Sequence, residues 1–334
     1  MIWGCRNEKP WLIKSTKPEG DNLRNIYDGI IGLATGDALG VPVEFMSREC
    51  IARNPVKSMR EYGTHHQPMG VWSDDTSLTL ALLDSMIQCK AINYTDIMDK
   101  FSAWLLYGEY TALGEVFDVG NATSKAIMNY GRGIAPLECG GKSEYENGNG
   151  SLMRILPIAY YLYNHQELSI DAQMELIHNL SSLTHGHSRS QVGCGIYVMV
   201  AIRLIGGIDS IAECVHNGIQ TAFDYYDRIG EIEIRSYNRL KRLDEFKRLP
   251  EEQIQSSGYV VHTLEAALWC LLNSSSYQEC VLKAVNLGDD TDTVGAVAGG
   301  LASSFYGAGQ IPEEWINVIA GREYIKELCS NTLA

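Results

Sequence analysis

The chain has 334 residues, 45% of them hydrophobic and 20% charged, with a formal net charge of −14. That apolar fraction supports a sizeable core, while the acidic balance and a pI near 5.0 exclude general nucleic-acid binding and favour a cationic partner or a metal. Nine cysteines without a CxxC pair read as reduced thiols, and the lack of an apolar leader or a bilayer-spanning run places the protein in the cytoplasm, away from membranes.

Residues 1–24 differ from the rest, with Trp3 and Trp11 among basic residues, the make-up of a terminus that folds back on the domain or of a partner-binding arm. From residue 25 to 334 nothing divides the chain, so one domain is expected there. Asn25 to Leu39 has helical spacing, with Gly29, Gly32 and Gly36 on one side for close approach of a neighbour. Residues 46–71 read as irregular, and Ser77 to Gln88 as an apolar helix opened by Ser73, Asp74 and Asp75.

Helices follow at Tyr94 to Tyr107 and, after the loop FDVGNAT, from about Ser124 to Tyr130. GGKS at Gly140 to Ser143 is not a phosphate loop, because Pro136 occupies the place of the required first glycine. Further helices are read at Ala172 to Leu183, Tyr259 to Leu272 and Tyr277 to Val285, and Gly193 to Leu204, small and apolar, is read as buried. Asp227 to Leu249, charged with both signs, reads as a solvated helix. With no strand alternation, the fold class is all-α, a compact many-helix orthogonal bundle.

NLGDDTDT, Asn286 to Thr293, crowds Asp289, Asp290 and Asp292 with two threonines ahead of a small, apolar helix. Carboxylates that close repel by roughly 1 kcal/mol per pair even in water, so a cation or strong donors must hold them together. Ser73 to Asp75 repeats the form more than two hundred residues away. The turn at Ser73 taken alone would pass as an N-cap, but caps need one oxygen each, and with both turns and Glu44 five carboxylates are on offer. All candidate donors are oxygens, which suits Mg²⁺ or Mn²⁺ rather than Zn²⁺, and the number suits two metals. The turn Gly148, Asn149, Gly150, Ser151 could cradle a diphosphate with its amides or serve as an ordinary loop and cap. His185 and His187 read equally as ligand contacts or as structural histidines.

Seven runs together resemble the ADP-ribosylglycohydrolase family, which includes dinitrogenase reductase-activating glycohydrolase: GLATGDALGVPVEF, WSDDT, FDVGNAT, GNGSLMR, THGHS, GYVVHTLEAALW and GDDTDTVGAVAGGLA. The resemblance implies an all-α fold around a cleft holding a binuclear Mg²⁺ or Mn²⁺ centre. It implies Ser73, Asp74, Asp75, Asp290, Asp292 and Thr293 as metal ligands. Glu44 falls at a catalytic or metal-gating position and Asp118 beside the distal ribose. Gly148, Asn149, Gly150, Ser151 and Met153 would line the diphosphate and ribose, with His185 and Tyr259 along the same channel. Asp289 matches no ligand position. Two departures stand out: His262 lies where relatives often have an acid, and residues 1–24 are an addition.

The activity so implied is removal of ADP-ribose from modified protein side chains, arginine before serine, with Glu44 or Asp118 moving the proton. A second reading is an immunity protein whose basic, Trp-bearing arm, residues 1–24, plugs an ADP-ribosylating toxin. The carboxylates alone would also allow a two-metal phosphohydrolase.

Overall fold

The computed structural model describes residues 25–207 and 209–331. The expected partner-binding arm therefore lies outside the described residues. Among those that are described there is no strand, only isolated bridges such as Gly148 with Tyr259, and the chain folds as fifteen α-helices joined by loops and short 3₁₀ turns.

Helix α1 (Ile26–Gly40) opens on a capping box between Asn25 and Asp28, and every residue from Gly29 onward is buried. A helix apolar on all sides belongs at the centre of a bundle. Its partner is α13 (Thr291–Tyr306), buried from Thr291 through Ser304. The two meet along small residues: a Cβ on Gly32 would lie 2.1 Å from Cβ of Ser303, and one on Gly36 would lie 2.1 Å from the Gly295 carbonyl oxygen. The glycine face of α1 read from the sequence is thus the contact that lets two backbones touch.

The other elements wrap this pair. In chain order they are α2 (Arg48–Arg53), α3 (Asp74–Cys89), α4 (Tyr94–Tyr107), α5 (Asn121–Gly131), α6 (Leu156–Tyr163) and α7 (Ile170–Ser182). Then come α8 (Ser188–Gly206), α9 (Ile211–Ile229), α10 (Leu243–Lys247), α11 (Val260–Leu272) and α12 (Tyr277–Asn286), followed after α13 by α14 (Glu313–Ile316) and α15 (Arg322–Ser330). Helices α8, α11 and α12 pack against α13, and α3, α6 and α15 against α1.

Three expectations need correction. Residues 46–71 hold α2, capped by Ser47. Helix α5 starts at Asn121 rather than Ser124, because Gly120 accepts the first helical bond from the Ser124 N–H at 2.9 Å. The charged stretch 227–249 is no single helix: α9 ends at Gly230, a 3₁₀ segment Ile232–Arg242 kinks at Tyr237, and α10 follows. Ile234, Tyr237 and Leu240 are all buried, and a spacing of three suits the 3₁₀ repeat, in which i and i+3 eclipse. No disulfide joins the eight described cysteines, and no helix among the described residues is long and apolar enough to cross a membrane.

A carboxylate floor beneath a polar cleft

Two helix N-termini converge on the site. Ser73 caps α3, placing Asp74 and Asp75 in its first turn, and Asp290 opens α13 with Asp292 in its first turn. Between them lies the end of α1, where Gly40 makes room: a Cβ there would sit 2.3 Å from the Asp292 Cα. The Thr291 hydroxyl locks the same contact by donating to the Gly40 carbonyl at 2.8 Å. Glu44 follows on a 3₁₀ turn, Val41–Val43, begun by Pro42.

Side-chain oxygens of Glu44, Asp290 and Asp292 lie within 4.8 Å of one another, and so do those of Asp37, Asp75 and Asp292. Asp75 accepts from the Ser73 hydroxyl at 3.0 Å and the Thr293 hydroxyl at 3.3 Å, all on Oδ2. Asn149 donates to Asp290 Oδ2 at 2.9 Å and to the Thr263 hydroxyl at 2.9 Å. Asp75 Oδ1 and Asp292 Oδ2 are buried and accept from no group among the described residues. Helix N-termini favour nearby anions, yet that leaves an uncompensated excess of negative charge. Lys125, the one basic chain on the cleft wall besides His185, is paired with Glu146 at 2.5 Å.

Burial therefore drives protons onto the floor. The Asp74, Asp75 and Asp292 carboxyls are held well above the usual range, by burial first and by neighbouring carboxylates second. Burial likewise pushes Asp37 up to about 7 against the pull of its hydrogen bonds. Glu44 is pushed up to about 7 by burial, opposed by its bond to His65 and aided by Asp118 and Asp290. A floor of oxygen donors with two orphaned carboxylate oxygens fits a hard divalent cation, which would supply the missing positive charge.

The cleft above has a volume of about 510 Å³. Glu44, Asp74, Asp118, Asp290 and Thr293 reach its wall from the floor side. Gly148, Asn149, Gly150, Met153 and His185 also line the cleft, with Asn149 adjoining the floor through Asp290. Gly150 has to be glycine, since a Cβ would meet the His185 ring at 2.9 Å and the Thr123 hydroxyl at 3.0 Å. Burial holds the His185 imidazole neutral, down at about 3, and the Thr184 hydroxyl sits 2.8 Å from its Nδ1.

Several residues named from the sequence lie away from the wall. Ser73, Asp75 and Asp292 belong to the floor but not to the cleft lining, each nearly inaccessible. The Ser151 hydroxyl turns into the core and accepts from Ser181 at 2.9 Å. Tyr259 caps α11 with its ring against His262 and Arg189, and its neighbour Gly258 forms the wall instead. His187 is the N-cap of α8, accepting from the Arg189 N–H at 3.2 Å. His262 bonds the Ser257 hydroxyl at 2.8 Å. Asp289 is exposed and belongs to neither floor cluster.

Two participants escaped the sequence reading. Asp37 accepts from the Ser73 N–H at 2.9 Å, the Thr76 N–H at 3.1 Å and the Thr76 hydroxyl at 2.6 Å. With both oxygens engaged it caps α3 from another helix. Its signal was available: an aspartate inside the apolar run GLATGDALG is costly unless satisfied. His65, from the stretch read as irregular, hydrogen-bonds Glu44, and that bond raises the imidazole above its ordinary value.

The family model described as ADP-ribosylglycohydrolase matches residues 19–334. The chain is 32% identical to an ADP-ribosylarginine hydrolase of Pseudomonas putida (strain GB-1), over 90% of this chain and 75% of that protein. To an ADP-ribosylarginine hydrolase of Serratia proteamaculans (strain 568) it is 30% identical, over 96% and 81%. An ADP-ribosyl-[dinitrogen reductase] glycohydrolase of Rhodospirillum rubrum is 30% identical over 86% and 87%. A solved ADP-ribosylglycohydrolase-related protein complex superposes with a TM-score of 0.74 at 30% identity, covering 92% of this chain and 95% of that one. On the match along nearly its whole length, the chain belongs to the ADP-ribosylglycohydrolase family.

Proposed function

We propose that this protein hydrolyses the N-glycosidic bond between ADP-ribose and an arginine side chain of a modified protein. The observation that carries the reading is the floor: carboxylates from two helix starts, with orphaned oxygens on Asp75 and Asp292, under a cleft walled by the Gly148–Gly150 turn. The relatives named for ADP-ribosylarginine hydrolysis supply the substrate class.

Ser73, Asp74, Asp75, Asp290, Asp292 and Thr293 would hold two divalent cations, Mg²⁺ or Mn²⁺. Bound there, the metals supply Lewis-acid binding of ribose hydroxyls and of water. The chain does the rest. Backbone amides of Gly148 and Gly150 receive the diphosphate, while the Asn149 N–H holds the turn by donating to the Gly258 carbonyl at 3.0 Å. His185, neutral, is free to donate or accept a hydrogen bond without adding charge. Glu44 and Asp118 make the mouth attractive to a guanidinium. Water attacks the anomeric carbon, a C–O bond forms as the C–N bond breaks, and Glu44 moves the proton from water to the departing guanidine. A carboxyl poised near 7 is matched to that task at neutral pH, where a general base contributes roughly 10²-fold to 10⁴-fold.

The test is incubation with arginine-linked and serine-linked ADP-ribosyl peptides, with and without Mg²⁺, reading free ADP-ribose by mass spectrometry. Release from the arginine substrate that requires metal is expected. Inorganic phosphate as the product, with no free ADP-ribose, would overturn the reading in favour of a phosphohydrolase.

A further inference from the structure

The stretch between α2 and α3 carries a turn whose construction is out of proportion to a connecting loop. The Tyr62 N–H donates to the Gln67 carbonyl at 2.6 Å, closing the turn. Within it Tyr62, Gly63 and His66 all have positive φ, at 65°, 44° and 55°, a conformation that costs non-glycine residues energy and tends to be retained where it serves a site. The turn is pressed onto the segment leading to Glu44. A Cβ on Gly63 would lie 1.9 Å from the Pro42 carbonyl oxygen, the Thr64 N–H donates to that same carbonyl at 3.1 Å, and the Thr64 hydroxyl donates to the Glu44 carbonyl at 2.7 Å.

The next residue is His65, whose Nε2 meets Glu44 Oε2. Its ring is held between Phe45 and Phe117, with centroids 5.9 Å and 5.3 Å away. Glu44 stands within reach of two groups at once, Asp290 and Asp292 on the floor and His65 and Asp118 at the mouth. A glutamate has three rotatable bonds, so a fixed contact such as that with His65 is what holds its carboxylate in one place between them.

We propose that His65 is a positioning residue: the 62–67 turn sets its imidazole against one oxygen of Glu44, holding the carboxylate at the cleft wall with the other oxygen available for proton transfer. The inference rests on the hydrolase reading above. A group held in one geometry reacts faster than one that must find it, so His65 acts on kcat through Glu44 and leaves substrate binding to the rest of the cleft.

The experiment uses the full chain with Mg²⁺ and ADP-ribosylarginine, comparing wild type, His65→Ala, His65→Gln, His65→Asn, Glu44→Gln and Glu44→Gln/His65→Ala. His65→Ala is expected to lower kcat about 10-fold to 100-fold with KM within about twofold, a split that marks loss of transition-state positioning. Gln, whose amide nitrogen reaches the place of Nε2, restores most of the rate; the shorter Asn does not. In the Glu44→Gln background, removing His65 costs less than about twofold, because the two act as one unit. An unchanged kcat with raised KM, or an equal loss in both backgrounds, would overturn the proposal. Proton NMR of the imidazole provides a readout without turnover. A His65 ring N–H resonance shifted downfield in wild type and moved by Glu44→Gln is expected, and its indifference to Glu44→Gln overturns the positioning role. Should the wild type release no ADP-ribose while that resonance still responds, the substrate reading fails and the positioning role stands.

Discussion

Gly36 of α1 faces Gly295 of α13 so closely that a Cβ on the first would lie 2.1 Å from the carbonyl oxygen of the second. The same two helices deliver Asp37 and Asp292 to the same end of the contact, where carboxylate oxygens of the two lie within 4.8 Å of each other. Packing and chemistry therefore share one interface.

Gly36→Ala is expected to destabilise the protein by at least about 1–3 kcal/mol, the usual cost of overpacking, because the clash is with backbone and cannot be relieved by a rotamer. Gly40→Ala strikes nearer the floor, at the Asp292 Cα. It should weaken metal binding as well as stability. Urea unfolding and Mn²⁺ titration by calorimetry measure the two effects separately, and a Gly40→Ala protein with unaltered Mn²⁺ affinity would contradict this account of the floor.

The carboxylates make the metal-free protein less stable as pH rises. Asp37 and Glu44 ionise near 7 when folded and near their ordinary 3.8 and 4.5 when unfolded. Stability contributed by the protonated forms is present below the unfolded values and lost as pH climbs through 7. His185 and His178 work the other way. They stay neutral down to about 3 and about 4 in the fold, so their contribution is lost as pH falls below 6.5. Between pH 6.5 and 8 these two histidines are silent, while the carboxylates and His65, whose imidazole Glu44 holds above its ordinary value, all lose stabilisation as pH rises. Unfolding midpoints of the metal-free protein should therefore drop across that window. Asp75→Asn, which removes one of the repelling charges, should flatten the slope.

Divalent cation should reverse that trend. Ligands must be deprotonated to bind it, so the rise in melting temperature on adding Mn²⁺ is expected to be larger at pH 8 than at pH 6. At a hundredfold excess over Kd the gain corresponds to about 2.7 kcal/mol. A shift independent of pH would argue that the cation binds elsewhere.

Asn149 touches the floor only through Asp290, and supporting partners of metal ligands typically contribute 10-fold to 100-fold in affinity. Asn149→Ala is expected to weaken Mn²⁺ binding by about that factor. Asn149→Asp should weaken it differently, since it puts another carboxyl beside Asp290. Competition with a fluorescent chelator reads both.

Thr76 secures Asp37 by hydroxyl and amide. Thr76→Val keeps the shape and removes the hydroxyl, leaving a buried carboxylate short of a donor at a cost of about 1–3 kcal/mol. Chemical denaturation measures it, and the expected loss is greater above pH 7, where Asp37 is ionised.

Much of this was legible in the chain itself. Helical periodicity, the cap at Ser73, the small-residue face of α1 and the all-oxygen donor set each depend on residues a few positions apart, and local rules reach that far. They placed the two acidic turns at helix starts and implied a hard cation. They could not place what depends on separations of dozens or hundreds of residues. That Asp37 caps α3, that His65 meets Glu44, that His185 faces the cleft and that the Ser151 hydroxyl turns inward to Ser181 were decided only by tertiary packing. The physical reason is the same in each case. A side chain's chemistry is written in its type, but its partner, its dielectric surroundings and the side of the wall it occupies are set by the packing of backbones that the sequence brings together from its two ends.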